Sequence, residues 1–285
     1  MEQLIVNENE PVILVDGSYF VIHRLFATMK WYKFKNPGMD DLAIDQEEFM
    51  ASVLKHTRDS IVKIKKKWAA VASGKSRLAK KDWENIPVWF AMDSPITEVW
   101  RTSITKEYKG TREGLSYDFD PMYFISLQEI LGKEIPLMKI KGLEADDVVA
   151  ITHKQLRDKG FEGLIVCITN DNDYLQLMDG KTRLHNLSDK DIAERSCGCP
   201  KKDLLNKIIL GDKSDNIPAI SSRIKPKKLK ELQALSVEEI ISSLQLNEEE
   251  KARMEHNRTL VDFSCIPEEL TQECLTKYTV TVRKN

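Results

Sequence analysis

GLIVCITND, at residues 163–171, is a nearly continuous apolar run, rich in β-branched residues, that ends on an acid. PVILVD (11–16) and PVWFAMD (87–93) have the same form. Short apolar runs without polar alternation are typical of strands buried on both faces of a parallel sheet. We expect IPLMKI (135–140) to be a fourth strand and TRLHN (182–186) a weaker fifth.

Helical patterns separate these apolar runs. Residues 46–72 predict a long amphipathic helix with a basic second half, and residues 121–131 and 144–160 predict shorter helices, the last ending at Gly160. Strands that alternate with helices indicate an α/β fold with right-handed crossovers. The expected architecture is a mostly parallel central sheet flanked by helices.

The sequence becomes helical, polar and basic after about residue 200. We therefore expect an α/β domain over residues 1–205 and a helical region over residues 206–285. The last residues, TVTVRKN (279–285), are expected to be loosely held.

Composition excludes several classes of protein. Of the 285 residues, 41% are hydrophobic and 31% charged, which suits a packed core and argues against wholesale disorder. The chain has no apolar run of about 18 residues and no basic, apolar leader, so we expect neither a membrane span nor a secretory signal. The five scattered cysteines argue against a disulfide framework. A cytoplasmic protein is the expectation.

Carboxylates gather where the predicted strands end. The carboxyl ends of parallel strands share one edge of a sheet, and ligands bind there. The candidate metal ligands are Asp16, Asp93, Glu144, Asp146, Asp147, Asp171, Asp173, Asp212 and Asp215. Each acid alone has another explanation, since aspartates form turns and acids in a first helical turn are favoured by the helix dipole.

Nine acids at one edge would repel one another unless cations compensate them. Hard divalent ions prefer oxygen ligands, so two Mg²⁺ ions are expected, with Mn²⁺ as a substitute. Two such ions about 4 Å apart suit phosphodiester hydrolysis. Outside these nine acids, 36 acidic residues face 43 basic ones, a balance of +7. The rest of the protein is therefore basic, as a binder of the phosphate backbone should be.

Six short sequence motifs follow one another along the chain. They are VDGSYFVIHRLFA (15–27), FAMDS (90–94), KEYKGTR (106–112), EADD (144–147), TNDNDYLQL (169–177) and GDKSDNIP (211–218). With these motifs the chain resembles, from about residue 13 to 230, the structure-specific 5′-nucleases. That family comprises flap endonucleases, bacteriophage 5′–3′ exonucleases and the 5′-nuclease domain of bacterial DNA polymerase I. The length suits a stand-alone phage or viral type.

The resemblance implies roles for particular residues. Asp16, Asp93, Glu144, Asp146 and Asp147 would form the first metal site, Asp171 and Asp173 would bridge or complete it, and Asp212 and Asp215 would hold the second ion. Tyr108, Lys109 and Arg112 match the basic motif of the family's helical arch, which is expected at about 95–125 and closes over a single-stranded 5′ end. Arg101 is expected to face the same region. Lys109, Arg112 and Arg101 are the candidate catalytic cations.

One segment departs from the family pattern. The glycine-rich hairpin that normally follows the last motif is replaced by AISSRIKPKKLKEL (219–232), without either glycine. A potassium ion is therefore not expected there. Duplex binding would fall to side chains, and the candidates are Ser221, Ser222, Arg223, Lys225, Lys227, Lys228 and Lys230, with Tyr108 in the arch.

The resemblance implies a magnesium-dependent 5′-nuclease, with flap endonuclease and 5′–3′ exonuclease action, that serves DNA replication and repair. Its substrates would be DNA with 5′ flaps, nicks or free 5′ ends, with RNA–DNA hybrids as a further class, and we expect a monomer. Two alternatives stay open. A PIN-like ribonuclease shares the sheet and several acids, and a catalytically silent branch-binding protein would share the fold.

Overall fold

The computed structural model describes residues 2–37, 46–110, 128–129 and 131–284. Its centre is a parallel sheet of five strands in the order β4-β3-β2-β5-β6, and a separate parallel pair joins β1 to β7. The strands are β1 (Glu2–Asn7), β2 (Val12–Asp16), β3 (Val88–Ala91), β4 (Leu137–Met138), β5 (Ile165–Ile168), β6 (Thr182–His185) and β7 (Tyr278–Arg283). All five predicted central strands are confirmed, and the predicted mixed α/β class is correct.

Helices cover both faces of the central sheet. They are α1 (Gly17–Lys35), α2 (Gln46–Ser73), α3 (Trp100–Ile104), α4 (Ala145–Asp158), α5 (Pro200–Leu210), α6 (Pro226–Glu231), α7 (Val237–Leu244), α8 (Glu248–Val261) and α9 (Glu268–Lys277). Because side chains alternate along β2, Leu14 packs with α4 on one face while Ile13 and Val15 pack with α1 and α2 on the other.

Helix α1 was not predicted as an element of its own. It lies between the sheet and α2, so residues such as Phe20, Leu25 and Thr28 are buried on more than one side and the apolar pattern has little periodicity. Helices α2 and α4 follow the predicted ranges, and Gly160 after α4 has a φ of 78°. The predicted helix at 121–131 lies almost wholly outside the described residues.

Residues 279–283 are held firmly, and for them the expectation of a loose C-terminus is wrong. Strand β7 pairs in parallel with β1 along six residues, from Glu2 opposite Tyr278 to Asn7 opposite Arg283. Tyr278 and Val280 are buried in the same core as Leu4 and Val6. The alternation in TVTV is that of a half-buried strand, and its partner lies at the other end of the sequence.

Helices α5, α6 and α7 share a small core of their own, built on Leu205, Ile209, Ile224, Leu229 and Ile240. Helix α8, in contrast, contributes Leu260 and Val261 to the main core. The boundary near residue 205 stays a prediction. No helix among the described residues is long and apolar enough to cross a membrane.

Candidate metal centre

The first acid of the site is fixed where β2 passes into α1. Asp16 caps α1, accepting from the Tyr19 N–H at 3.0 Å, and its other oxygen accepts from the Thr169 hydroxyl at 3.2 Å. The next residue, Gly17, has no room for a side chain, because a Cβ there would lie 2.7 Å from the Ala91 carbonyl oxygen. The close approach of α1 to β3 therefore requires glycine.

The start of α4 brings three further acids to the same edge. Asp93, after β3, accepts from the Ala145 N–H at 2.7 Å and so joins the ends of two elements. One carboxylate oxygen from each of Glu144, Asp146 and Asp147 lies within 4.8 Å of the others. These contacts confirm that distant segments meet at the carboxyl edge of the sheet.

Asp147 is buried and fully engaged by protein groups. It is 0% exposed and accepts from Trp100 Nε1 at 3.0 Å and from both terminal nitrogens of Arg101, at 2.8 and 2.7 Å. It also accepts from the Glu144 N–H at 3.1 Å. Asp147 therefore holds the start of α4 in place, and its carboxylate does not face open solvent.

Arg101 is buried beneath the carboxylates and does not extend to the surface. Its side chain is 2% exposed, and besides Asp147 it binds Glu144 at 2.8 Å. The charges of Asp147 and Asp146 outweigh burial and raise the pKa of Arg101. In this position Arg101 is a counter-ion beneath the carboxylates, which corrects its assignment as a cation that meets the phosphate.

The second half of the site comes from two other segments. Asp171 caps a 3₁₀ helix, Asn172–Leu177, by accepting from the Asp173 N–H at 3.0 Å. The loop 211–217 is closed by two backbone hydrogen bonds between Asp212 and Ile217. Gly211 starts this loop with a φ of 70°, and a Cβ there would lie 2.3 Å from the Ile217 carbonyl oxygen.

Lys207, on α5, joins these two segments. Its ammonium donates to Asp173 and lies 2.8 Å from Asp212 Oδ2, while its side chain is only 14% exposed. The sequence analysis did not identify this residue. A lysine in the last turn of a helix is ordinarily explained by the helix dipole, so its position gave no separate signal.

A cavity of about 750 Å³ opens between the two halves. Six of the nine predicted ligands line it, namely Asp16, Asp93, Glu144, Asp146, Asp171 and Asp212. The other three, Asp147, Asp173 and Asp215, are buried behind it with exposures of 0%, 7% and 4%. Arg195, which the sequence analysis also missed, lines the cavity and donates to Asn170 and Asn172.

Burial and mutual repulsion raise the pKa values of several of these acids. Burial, followed by the charge of Asp93, raises the pKa of Asp16 to about 7. Burial, followed by the charge of Asp171, raises the pKa of Asp173 to about 7. Burial and the charge of Asp147 also raise the pKa of Asp146. A divalent ion would relieve this repulsion.

Lys109 lies at the cavity wall. Its ammonium contacts the Glu144 carboxylate and lies 3.9 Å from Asp215 Oδ1. Burial would raise the pKa of Glu144, but the charges of Lys109 and Arg101 outweigh it and lower that pKa. Tyr108 donates to Glu144 at 2.9 Å and is buried. Lys109 therefore lies where a phosphate beside Glu144 would meet it, whereas Arg112 lies outside the described residues.

The segment after the last motif forms a basic surface. Lys225, Lys227 and Lys228 line a second cavity of about 410 Å³, and Ser222 and Lys230 are exposed nearby in the chain. Arg223 lines the same cavity, but its guanidinium binds Glu250, to which Ser221 also hydrogen-bonds. Two of the seven predicted DNA-binding side chains of this segment, Ser221 and Arg223, are thus engaged within the protein.

The donor set fits divalent metal ions with oxygen ligands. Its lining acids offer carboxylate oxygens from five segments of the chain, and no cysteine or histidine lines the cavity among the described residues. Magnesium and manganese prefer such ligands to the nitrogen and sulfur ligands of zinc sites.

Comparisons with known proteins agree with this arrangement. A family model for the N-terminal, resolvase-like domain of 5′-3′ exonucleases matches residues 11–202. A 5′-3′ exonuclease of Buchnera aphidicola subsp. Schizaphis graminum is 32% identical over 223 residues, 75% of this chain and 66% of that protein. A DNA polymerase I of Chloroflexus aurantiacus is 27% identical over 147 residues, 47% of this chain and 15% of the polymerase. The chain thus spans less than two thirds of the length of these relatives.

Ribonuclease H of Enterobacteria phage T4 is 25% identical over 209 residues, 66% of this chain and 68% of that protein. Among solved structures, the T5 5′-exonuclease with bound zinc has a TM-score of 0.61 at 17% identity, covering 94% of this chain and 97% of that one. The bacteriophage T5 flap endonuclease, in a pseudo-enzyme–product complex with DNA and metal ions, has a TM-score of 0.61 at 16% identity over the same shares. At these identities the likeness establishes the fold.

Proposed function

This chain belongs to the family of 5′-3′ exonucleases, and from that premise we propose that it is a metal-dependent, structure-specific 5′-nuclease. Its substrates are DNA flaps, nicks and free 5′ ends inside the cell, where it serves replication and repair. The observation that carries the proposal is the cavity lined by six of the nine predicted metal ligands, together with two lysines that contact Glu144 and Asp212. The family match favours this function over that of a PIN-like ribonuclease.

The residues divide into two groups of metal ligands. Asp16, Asp93, Glu144 and Asp146 would hold the first ion, and Asp171 and Asp212 would face the second. The buried acids Asp147, Asp173 and Asp215 would act behind them through hydrogen bonds, charge and bound water. Bound Mg²⁺ or Mn²⁺ would activate water and polarise the scissile phosphate.

Cationic side chains would orient the substrate. Lys109, at the cavity wall, would bind a non-bridging oxygen of the scissile phosphate and stabilise charge that develops on it. Tyr108 would keep Glu144 in place through its hydroxyl. Arg101 would hold Glu144 and Asp147 together from beneath and would not contact the substrate.

The duplex would lie on the C-terminal basic surface. Lys225, Lys227, Lys228 and Lys230 are exposed, and charges of this kind bind phosphates with a strong dependence on salt. Ser222 would add a hydroxyl donor. RNA–DNA hybrids are a further proposed substrate, because the phage T4 relative is a ribonuclease H.

A panel of 5′-labelled substrates tests the function. Flap, nick, gap, single-strand and RNA–DNA hybrid substrates are compared with Mg²⁺, with Mn²⁺ and with a chelator. We expect cleavage with either metal, products that carry a 5′-phosphate, and no cleavage with the chelator. Binding of branched DNA without any cleavage would instead support a catalytically silent binding protein.

A further inference from the structure

Lys207 lies beside the place that the proposed function gives to the second metal ion, because it contacts Asp212, one of the two acids that would face that ion. Its ammonium contacts Asp173 and lies 2.8 Å from Asp212, and these two acids belong to different segments of the chain. A divalent ion binds carboxylate oxygens at about 2.0–2.6 Å. An ion bound to Asp212 would therefore meet the ammonium at the same carboxylate, and the two positive charges would repel each other strongly at that distance.

The lysine cannot leave with its backbone. Lys207 lies on α5, which is anchored by the buried residues Leu205, Ile208 and Ile209. Asn257, 0% exposed, donates to the carbonyl oxygens of Ile208 and Pro218, at 2.9 and 2.8 Å. The helix and the end of the metal-binding loop are thus held together, and only rotation of the lysine's four-carbon stem can free the carboxylates.

The lysines in the two halves of the site are carried by different kinds of backbone structure. Lys109, in the first half, has a φ of 55° and lies one residue before Gly110, within the range expected for the arch. Lys207 instead extends from a regular helix into the cavity wall. Displacement of Lys207 opposes binding of an ion in the second half of the site only.

We propose that Lys207 is a built-in counter-ion that holds Asp173 and Asp212 together in the metal-free protein and weakens binding of the second metal ion by competing with it. This inference rests on the proposed function. Its consequence is sequential loading, in which the first ion binds more tightly than the second. The freed ammonium remains within reach of the cavity, where an incoming phosphate can accept its hydrogen bonds.

Mn²⁺ binding to the substrate-free protein tests the proposal, by calorimetry and by the electron paramagnetic resonance signal of free Mn²⁺. Lys207→Met should bind the second ion at least about tenfold more tightly than the wild type, because no cation has to be displaced. Lys207→Arg keeps the charge and should bind it no more tightly than the wild type.

Lys213→Met is the matched control, because Lys213 is exposed and lines the same cavity. It removes the same charge without removing a contact to Asp173 or Asp212, so a general electrostatic effect would appear in both variants. The proposal predicts a clearly larger gain for Lys207→Met. If Lys207→Met does not fold, Lys207→Gln replaces it with the same expectation.

The outcomes separate the inference from the proposed function. If the wild type binds two ions and Lys207→Met gains no more affinity than Lys213→Met, the inference is wrong while the proposed function stands. If the wild type binds no Mn²⁺ in this cavity, the proposed function fails and the inference fails with it. In a supporting result, Mn²⁺ also raises the melting temperature of Lys207→Met more than that of the wild type.

Discussion

Arg101 donates from its Nε to the carbonyl oxygen of Leu260, 2.6 Å away and 159 positions later in the chain. The same guanidinium binds Glu144 and Asp147 at the start of α4. One buried side chain therefore connects the last turn of α8 to the proposed metal ligands. The geometry of these ligands depends on the C-terminal part of the chain as well as on the central sheet.

Arg101→Leu should lower the free energy of unfolding of the metal-free protein by about 3–5 kcal/mol, because it leaves the buried Asp147 without its cation and removes one of the two cations that contact Glu144. Urea unfolding measures the change. Arg58→Leu is the control, since Arg58 pairs with Glu134 at the surface and its loss should change the stability far less. Equal effects in the two variants would contradict a structural role for the buried pair.

Asp171→Asn should abolish cleavage and leave the metal-free stability level or raised, because Asp171 is exposed and repels Asp16 and Asp173. Asp147→Ala should also abolish cleavage but should destabilise the protein by several kcal/mol, on the order of 3–5, because it removes the partner of buried Arg101. Cleavage assays and melting temperatures are measured together. Retained cleavage in Asp171→Asn would rule out its role as a ligand.

The metal affinity should rise with pH. Asp16 and Asp173 have folded-state pKa values of about 7, against 3.8 as the ordinary value. Between these values the metal-free folded state holds protons that the unfolded chain has lost, so these two groups make its stability fall as pH rises from about 4 to 7. A metal ion must displace the same protons.

Mn²⁺ affinity should therefore increase by up to about tenfold per pH unit for each displaced proton, and it should level off above about pH 7. Calorimetry between about pH 5.5 and 8.5, in buffers with different ionisation enthalpies, counts the protons released. Asp171→Asn should depend less on pH, since it lacks one source of repulsion. An affinity that is constant across this range would contradict the expectation.

Lys109→Met should lower the single-turnover cleavage rate by about 10²–10³-fold and weaken duplex binding much less, because its cation is assigned to the reacting phosphate. Rapid-quench kinetics and equilibrium binding in Ca²⁺ give the two quantities. A parallel loss of rate and affinity would identify Lys109 as an ordinary phosphate contact.

Lys227→Ala combined with Lys228→Ala should reduce the dependence of flap-DNA affinity on salt by roughly one unit of slope per lost phosphate contact. The wild type should show little preference for potassium over sodium, because the glycine hairpin is replaced. Lys154→Ala with Lys159→Ala, which removes two exposed charges from the C-terminal end of α4, is the matched control. An unchanged slope in the first variant would show that this surface does not hold the duplex.

The acidic edge was predictable because its signal is local. A buried strand followed at once by an acid, as at Asp16 and Asp93, specifies both the element and the direction of its end. The motif order added the family, and the comparisons confirm it. The acidic edge could be predicted without knowing how the helices and strands pack against one another.

The rest depends on contacts between distant segments. The burial of Arg101 depends on α4 and α8 together, and an arginine in a polar stretch is ordinarily exposed. The contact of Lys207 with Asp173 depends on how α5 is oriented against the 3₁₀ helix after β5. Neither the packing of α8 against α4 nor the orientation of α5 against the 3₁₀ helix can be derived from the spacing of residues along the chain.

The parallel pairing of β1 with β7 affects how the protein is made. About 270 residues separate the two strands, so the ribosome releases β1 long before its partner exists. At typical rates of bacterial synthesis this interval is on the order of tens of seconds. During that time Leu4 and Val6 cannot complete their packing, so β1 reaches its native contacts only after β7 has been synthesised.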